Sequence, residues 1–235
     1  MSKKITVLMC CYNEERFLKR ALDSAFNQSL DSGEYEVLLI DDGSTDSSAE
    51  IATGHLNRPN FRYHRNGQNM GLVASCNKGL DLAEGTWVIR LDSDDAFALD
   101  MLSQMRQYTD DSECDLVYTD RKEIFPDEGK ERYVDLSGFN LFELIACGVG
   151  MRKQVLLQIG GYRNLFWEEY DLYIRYLQYC KGKSVHIQRP HYYYSIYQGS
   201  MTSNSKNVEE GWKELIDEWG IDTLKQYGSH PRLSQ

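Results

Sequence analysis

Short apolar runs alternate with amphipathic segments along the first half of the chain. Buried strands are predicted at KITVLMCC, YEVLLID, FRYHR, TWVIRLD and DLVYTD, which are residues 4–11, 35–41, 61–65, 86–92 and 115–120. Helices are predicted between them, where apolar residues recur at helical spacing or cap-forming residues open the segment, over 14–28, 44–56, 72–83 and 98–108. This alternation predicts an α/β fold with a mainly parallel sheet and right-handed crossovers.

The pattern after residue 120 is less regular. RKEIF and ERYVDL are predicted to form a hairpin around the turn PDEGK. Further strands are predicted at GVGMRK, SVHIQ and HYYYSIY, with a helix over 168–180. A last helix, over 208–219, carries one apolar face made by Trp212, Leu215, Ile216 and Trp219. This face can pack on the domain, on a second copy of the chain as a homodimer, or on a membrane.

Composition narrows the function classes. The chain has 235 residues, which suits one large α/β domain or a domain with a smaller appendage. Its formal net charge of −10, with no basic stripe, argues against binding of nucleic acid. The six cysteines lack metal-ligand spacing, and no signal peptide or transmembrane segment is recognisable. We therefore expect a cytoplasmic protein, with peripheral contact to a membrane left open.

Three polar clusters follow predicted strands at the points where these strands end. They are Tyr12–Glu14, Asp41–Ser44 and Asp92–Asp95. Helix caps and turns use the same residue types, so each cluster by itself also has a structural explanation. Open parallel sheets, however, bind ligands where the carboxyl ends of their strands converge. Three clusters at one edge of a sheet therefore favour a binding site.

The third cluster, Asp92-Ser93-Asp94-Asp95, brings three carboxylates within four positions, where they repel one another unless a cation neutralises them. Mg²⁺ and Mn²⁺ prefer oxygen ligands, and Mg²⁺ is usually held by one or two carboxylates together with substrate phosphates. In an extended segment, the D-x-D spacing directs both carboxylates to one side. The cluster thus predicts a Mn²⁺ or Mg²⁺ site. The alternative is that Asp94 or Asp95 caps the following helix.

Five segments of the chain, in this order, resemble the family 2 glycosyltransferases of the GT-A fold. They are VLMCCYNEERFLKRALDSAFNQS, YEVLLIDDGSTDSS, NMGLVASCNKGLDLAEGTWVIRLDSDD, GGYRNLFWEEYDLYIRY and YYYSIYQGSMTS, within residues 4–203. The resemblance implies a single GT-A domain over 1–205. Its nucleotide-binding half is expected over about 1–120, a less regular acceptor half over about 121–205, and a C-terminal helical tail over 206–235.

The same resemblance implies how a nucleotide is held. Tyr12 is expected to stack on a pyrimidine base, and Asp42 to hydrogen-bond the base edge, with Asp41 beside it. This arrangement suits a base of the uracil type. A UDP-sugar is therefore the favoured donor, while dTDP-sugars and GDP-sugars stay open.

The resemblance also implies the residues of the reaction centre. Asp92 and Asp94 are expected to contact the ribose and the metal that bridges the diphosphate, with Asp95 as a supporting or alternative ligand. In WEEYDLYIRY, Glu169 stands where many members have the aspartate that acts as general base, and Glu168 precedes it. Glu169 is the favoured base and Glu168 the second choice. Two acids that favour a helix N-terminus are the alternative.

The chain departs from the family pattern at three positions. Cys76, Ser195 and Tyr197 stand where many members have Arg, Arg and His. If those side chains help to hold the donor diphosphate, their contacts are absent here or come from elsewhere; the candidates are Arg65, Lys78 and the loop QGSMTSNSK.

The function implied is that of an inverting enzyme. It would transfer a sugar from the nucleotide donor to a hydroxyl of a glycan, a lipid-linked sugar or a small glycoside, by metal-assisted direct displacement. Two rivals remain. A degenerate nucleotide-sugar-binding module is suggested by the departures from the pattern. A sugar-nucleotidyltransferase is disfavoured, because the first loop, CCYNEE, is acidic and lacks glycine.

Overall fold

A mixed sheet of nine strands forms the centre of the molecule. The computed structural model describes residues 3–145, 148–180, 182–198, 200 and 205–234. The strands, with their bounds, are β1 (Ile5–Cys11), β2 (Tyr35–Asp41), β3 (Phe61–Arg65), β4 (Trp87–Arg90), β5 (Ala96–Phe97), β6 (Cys114–Phe125), β7 (Lys130–Val134), β8 (Val149–Arg152) and β9 (Lys183–Ser195). They lie in the order β3-β2-β1-β4-β8-β6-β9-β5, and β7 pairs with β6.

Eight α-helices pack around this sheet in the described residues. They are α1 (Leu18–Phe26), α2 (Ser48–Thr53), α3 (Leu72–Leu82), α4 (Met101–Arg106), α5 (Lys153–Gln158), α6 (Glu168–Tyr179), α7 (Ser205–Trp219) and α8 (Ile221–Leu224). Two short 3₁₀ helices, Leu141–Glu143 and Pro231–Leu233, complete the described elements. Within these residues, we find no helix that combines the length and the apolar character needed to cross a bilayer.

The four strands β1 to β4 pair in parallel, as the alternating pattern predicts. Alternate residues of β1 enter two different cores, because successive side chains of a strand point to opposite faces. Leu8 and Cys10 lie in the core covered by α3, whereas Val7 and Met9 lie in the core covered by α1. Burial on both faces explains why β1 and β2 are mostly apolar runs in the sequence.

The second half of the sheet corrects two of our strand predictions. DLVYTD and RKEIF belong to one strand, β6, while SVHIQ and HYYYSIY belong to one strand, β9. The two long strands pair in parallel, with register shifts around Thr119 to Arg121 and with Asp120 opposite Pro190. Proline is tolerated in a sheet at such irregularities. The polar and proline residues therefore mark a bulge within a continuous strand, where the sequence suggests a break.

The apolar face of α7 packs on the chain's own core. Trp212 and Leu215 are buried there, and Ile216 and Trp219 are partly buried against the same cluster. The Trp212 ring also stacks on His230 with centroids 4.1 Å apart. Of the three occupants that the sequence allows, the domain itself covers the buried part of this face. A homodimer through α7 stays a prediction.

The substitution Trp212→Ala is expected to lower the free energy of unfolding by about 3–5 kcal/mol, because a large buried ring is replaced by a cavity. Urea denaturation followed by circular dichroism measures the change. Leu157→Ala is the control, since Leu157 lies exposed on α5, and a change within about 0.5 kcal/mol is expected there. Equal effects of the two substitutions would contradict the docking of α7.

Candidate functional site

The polar residues at the carboxyl ends of β1, β2 and β4 line one cleft. Its volume is about 340 Å³. The described residues that line it are Cys10, Cys11, Tyr12, Glu14, Asp42, Asn69, Gly71, Leu72, Ser75, Arg90, Asp92, Ser93, Asp94, Tyr197 and Ser200. The parallel pairing of β1 with β2 and β4 brings these segments together, so the convergence expected at this edge is confirmed.

Tyr12 stands at one wall of the cleft, with 43% of its surface exposed. The next residue, Asn13, has a φ of 57°, in the left-handed region that asparagine tolerates better than most residues. Its backbone N–H donates to Ser44 Oγ at 3.0 Å, and its Oδ1 accepts from the Thr45 N–H at 2.7 Å. The turn that exposes the Tyr12 ring is therefore held by the loop after β2.

Asp42 is buried at the floor of this loop, where its carboxylate accepts three hydrogen bonds. The donors are Asn66 Nδ2 at 2.8 Å, the Met70 N–H at 3.0 Å and the Gly71 N–H at 2.8 Å. These contacts hold the segment that leads into α3 against the cleft. Asp42 thus shapes the pocket through its neighbours and also reaches the pocket surface.

Asp41 is directed away from the cleft, because successive residues of an extended strand point to opposite sides. Its fully buried carboxylate accepts from the Ser44 N–H at 2.8 Å and from the Tyr63 hydroxyl at 2.7 Å. In the same turn, Gly43 has a φ of 78°, and a Cβ there would lie 2.8 Å from the backbone of Gln68. These contacts give Asp41 a role in shaping the loop.

Asp92 and Asp94 both face the cleft from the loop after β4. Asp92 accepts from Arg90 Nε at 2.7 Å and keeps part of its carboxylate exposed. Asp94 accepts from the Tyr197 hydroxyl at 3.0 Å. Burial, together with the charge of Asp92, raises the pKa of Asp94 above its ordinary value. A cation between the two carboxylates would offset this repulsion.

Asp95 lies behind this loop, fully buried and outside the cleft lining. Its carboxylate accepts from the Tyr192 hydroxyl at 2.5 Å and from the Ser195 N–H at 2.7 Å. Burial raises its pKa well above the ordinary range, and the charges of Asp94 and Asp92 add to the effect. The helix-cap alternative is wrong for both Asp94 and Asp95, because α4 begins only at Met101, with Asp100 at its N-cap position.

Glu14 is a cleft residue that we did not assign from the sequence. Burial raises the pKa of its carboxyl to about 7, and the charges of Asp94, Asp46 and Asp92 contribute. The described part of the chain contains no cluster of three or more His, Cys, Asp or Glu side chains arranged as a complete metal site. The carboxylates of Glu14, Asp92 and Asp94 repel one another. They suit a cation that is bound by one or two carboxylates together with phosphate groups of the ligand.

The two acids of the WEEYDLYIRY segment lie in the first turn of α6, where carboxylates favour the positive end of a helix. Glu168 Oε1 accepts from Arg90 Nη1 at 2.9 Å. Glu169 is also buried. Burial is the main cause that raises its pKa well above the ordinary range, and the nearby charge of Glu168 is the second cause. Neither acid lines the cleft, but Arg90 does and so connects them to it.

The positions that depart from the family pattern have partners of their own. The Cys76 thiol lies in the core, 3.6 Å from that of Cys10. Ser195 Oγ donates to the Asp94 carbonyl at 2.6 Å, and Arg20 Nη2 donates to Ser195 Oγ at 2.7 Å. Tyr197 contacts Asp94, as described above. Contacts from α1 and β9 therefore occupy the region where the pattern has arginine and histidine.

The candidate replacements for those side chains lie elsewhere. Arg65 donates to the Ser44 carbonyl at 2.6 Å, and Lys78 is exposed on α3. Neither residue lines the described part of the cleft. Of the loop QGSMTSNSK, residues 199 and 201–204 fall outside the described residues. The cation that does line the cleft, Arg90, was missed, although an arginine that ends a buried strand is an unusual feature.

Comparisons with known proteins agree with this geometry. The chain is 33% identical over 133 residues to the putative glycosyltransferase EpsH of Bacillus subtilis (strain 168). The match covers 57% of this chain and 38% of that protein. This chain thus spans well under half the length of that relative. Among solved structures, S. aureus TarS 1–349 in complex with UDP-GlcNAc is similar, with a TM-score of 0.77 and 20% identity. The match covers 95% of this chain and 71% of that one.

A second solved structure has a comparable likeness. The mannosyltransferase PcManGT from Pyrobaculum calidifontis, in complex with GDP-Man and Mn²⁺, has a TM-score of 0.71 at 14% identity. The match covers 99% of this chain and 67% of that one. Both structures confirm the predicted GT-A fold. The sequence profile described as glycosyl transferase family 2 matches residues 6–187. The chain belongs to this family.

Proposed function

We propose that this chain is an inverting glycosyltransferase that takes its sugar from a nucleoside diphosphate, with UDP as the favoured nucleotide. The observation that carries the proposal is the convergence of three carboxylates, Glu14, Asp92 and Asp94, on the cleft beside Tyr12. A nucleoside diphosphate that arrives with a divalent cation is complementary to such a surface. The ligands of TarS and PcManGT are of the same chemical class.

The exposed Tyr12 ring provides a flat surface on which a base can stack. Asn69, Gly71 and Leu72 also line the cleft and belong to the segment that Asp42 holds. A base bound beside these residues would lie next to the Asp42 carboxylate, which can accept from a base N–H. A uracil ring offers such a donor, as do thymine and guanine, so the contact is compatible with UDP and with the dTDP and GDP donors left open by the sequence. The UDP-GlcNAc bound by the similar TarS supports UDP as the favoured nucleotide.

Asp92 and Asp94 would hold Mn²⁺ or Mg²⁺ together with the diphosphate. Asp95 is less suited to this task, because it is fully buried and lies outside the cleft lining. When bound, the cation would stabilise the negative charge that develops on the departing nucleoside diphosphate. The chain's own contribution is to keep the two carboxylates on one face, through the Tyr197 and Arg90 contacts.

The transfer step needs a base on the acceptor side. In the proposed step, the acceptor oxygen forms a bond to the anomeric carbon while the bond to the diphosphate breaks. The acceptor proton passes to a carboxylate, and the leaving group departs with the bonding electrons. Glu169 is the favoured base. Its raised pKa makes its ionised form a stronger proton acceptor than an ordinary glutamate. Glu168 is committed to Arg90.

Calorimetric titration tests the donor site. We expect UDP to bind in the presence of Mn²⁺, and Asp94→Ala to weaken this binding more than tenfold, because a carboxylate that faces the cation is lost. Asp222→Asn, an exposed position on α8, is the matched control and should bind as the wild type does. If the wild type binds no nucleotide with either metal, the cleft is not a donor site.

Turnover separates an enzyme from a module that only binds. Glu169→Gln is expected to retain UDP binding within about threefold and to lower the release of UDP from a UDP-sugar by at least 100-fold, in line with the contribution of a general base. Coupled-enzyme detection of UDP follows the reaction. Wild-type protein that binds UDP-sugars without any turnover would favour the degenerate binding module.

The raised pKa of Glu14 predicts a pH-dependent effect on stability. Because this carboxyl is harder to ionise in the folded protein than in the unfolded chain, its charge lowers stability progressively between its ordinary pKa of 4.5 and about 7. Without metal, Glu14→Gln should therefore leave stability unchanged at pH 4. At pH 8, it should raise the free energy of unfolding by about 1 kcal/mol, after allowance for solvent screening.

Urea denaturation in EDTA at both pH values measures this difference. Leu157→Ala is the control, since Leu157 is exposed on α5 and does not ionise, and its effect should be the same at both pH values. A Glu14→Gln protein that is equally or less stable than the wild type at pH 8 would contradict the repulsion inferred in the cleft.

A further inference from the structure

Arg90 joins the two halves of the site through one guanidinium group. It is the last residue of β4 and only 5% exposed. Its Nε donates to Asp92 Oδ1 at 2.7 Å, and its Nη1 donates to Glu168 Oε1 at 2.9 Å. Glu168 lies 78 residues further along the chain, in the first turn of α6. The three side chains thus form a continuous ion-pair chain from the acidic loop to α6.

The chemistry of arginine suits this position. A guanidinium presents several N–H groups in a fixed plane, so it can bond two carboxylates at once, whereas a lysine ammonium acts as a point charge. Burial of an unpaired carboxylate is costly, and its pairing with Arg90 offsets this cost for Glu168. Asp92 is the more exposed partner and faces the cleft. A ligand that engages Asp92 therefore competes with Arg90 for the same carboxylate.

We propose that Arg90 is a positioning residue that couples the cation side of the cleft to the acid pair of α6. The coupling rests on the proposed function, because it assigns Asp92 to a bound cation. When a cation binds the Asp92 carboxylate, the ion pair between Arg90 and Asp92 weakens and the ion pair between Arg90 and Glu168 strengthens. When the charge of Glu168 is removed, Arg90 interacts more strongly with Asp92 and so weakens the binding of the cation. Such coupling is reciprocal by thermodynamic necessity.

The test is a double-mutant cycle read by cation binding. Calorimetry gives the Mn²⁺ concentration for half-saturation at saturating UDP, in the wild type, Glu168→Gln, Arg90→Met and the double variant. Glu168→Gln is expected to raise this concentration at least threefold, although Glu168 does not line the cleft. In the Arg90→Met background, the same substitution should change it by less than 1.5-fold, because the effect passes through Arg90.

A second buried pair on the same helix provides the control. Arg175 Nη2 lies 2.7 Å from Asp171 Oδ2, and the two side chains are 7% and 0% exposed. Asp171→Asn should lower the thermal unfolding midpoint but leave the Mn²⁺ half-saturation within twofold. If Arg90→Met does not fold, Arg90→Lys takes its place in the cycle, with the Glu168→Gln effect expected to fall by at least half.

The outcomes separate the two proposals. A Glu168→Gln effect that is absent, or equal in both Arg90 backgrounds, overturns the coupling while nucleotide binding by the wild type upholds the donor site. Wild-type protein that binds no UDP with Mn²⁺ overturns the proposed function and the coupling together. A shift caused equally by Asp171→Asn would show that α6 acts only through general stability, which also overturns the coupling.

Discussion

The buried carboxylate of Asp95 holds the acidic loop against the end of β9, and the shape of the cleft depends on this contact. Its two oxygens accept from Tyr192 and from the Ser195 backbone, 97 and 100 residues away along the chain. A buried carboxylate without these partners would be costly, so the contact strongly favours one arrangement of the loop. That arrangement directs Asp92 and Asp94 into the cleft and places Tyr197 against Asp94.

Charge balance is the second constraint on this edge of the sheet. The chain carries a net charge of −10, and four of its acids, Glu14, Asp42, Asp92 and Asp94, line the cleft where the strands end. The arginines that contact the acidic loop come from different elements. Arg90 comes from β4, and Arg20 from α1 reaches the Asp94 carbonyl and Ser195. Each cation contacts the acidic loop and a second element, so the same contacts neutralise charge and orient the loop.

The first half of the fold could be predicted closely from the sequence, and the second half only in outline. The bounds of β2 and β3 match our prediction. β2 is buried along its whole length and is a mostly apolar run, whereas the edge strand β3 keeps partly exposed polar residues between Phe61 and Arg65. By contrast, β6 and β9 extend through bulges with polar and proline residues. Their continuity depends on pairing between segments about 70 residues apart, and such pairing leaves no local pattern in the sequence.

In the candidate site, too, local sequence predicts some features, and others depend on contacts between distant segments. The sequence predicts which strand ends carry the polar clusters, and their convergence follows from the parallel sheet. Whether a particular carboxylate faces the ligand is decided by its partners. Asp41 and Asp95 are buried against tyrosines, and the neighbouring Asp42 and Asp94 face the cleft. Only the tertiary structure assigns these partners.

The partners of Ser195 and Tyr197 change how these departures from the family pattern are interpreted. A missing arginine or histidine suggests an impaired site if each position is considered alone. In the structure, Ser195 is bonded to Arg20, and Tyr197 is bonded to Asp94. A guanidinium from α1 and the Tyr197 hydroxyl therefore contact the acidic loop in this chain. Because these contacts and the buried Asp95 hold the loop that carries Asp92 and Asp94, the residues at positions 195 and 197 are weak grounds for inferring a degenerate site.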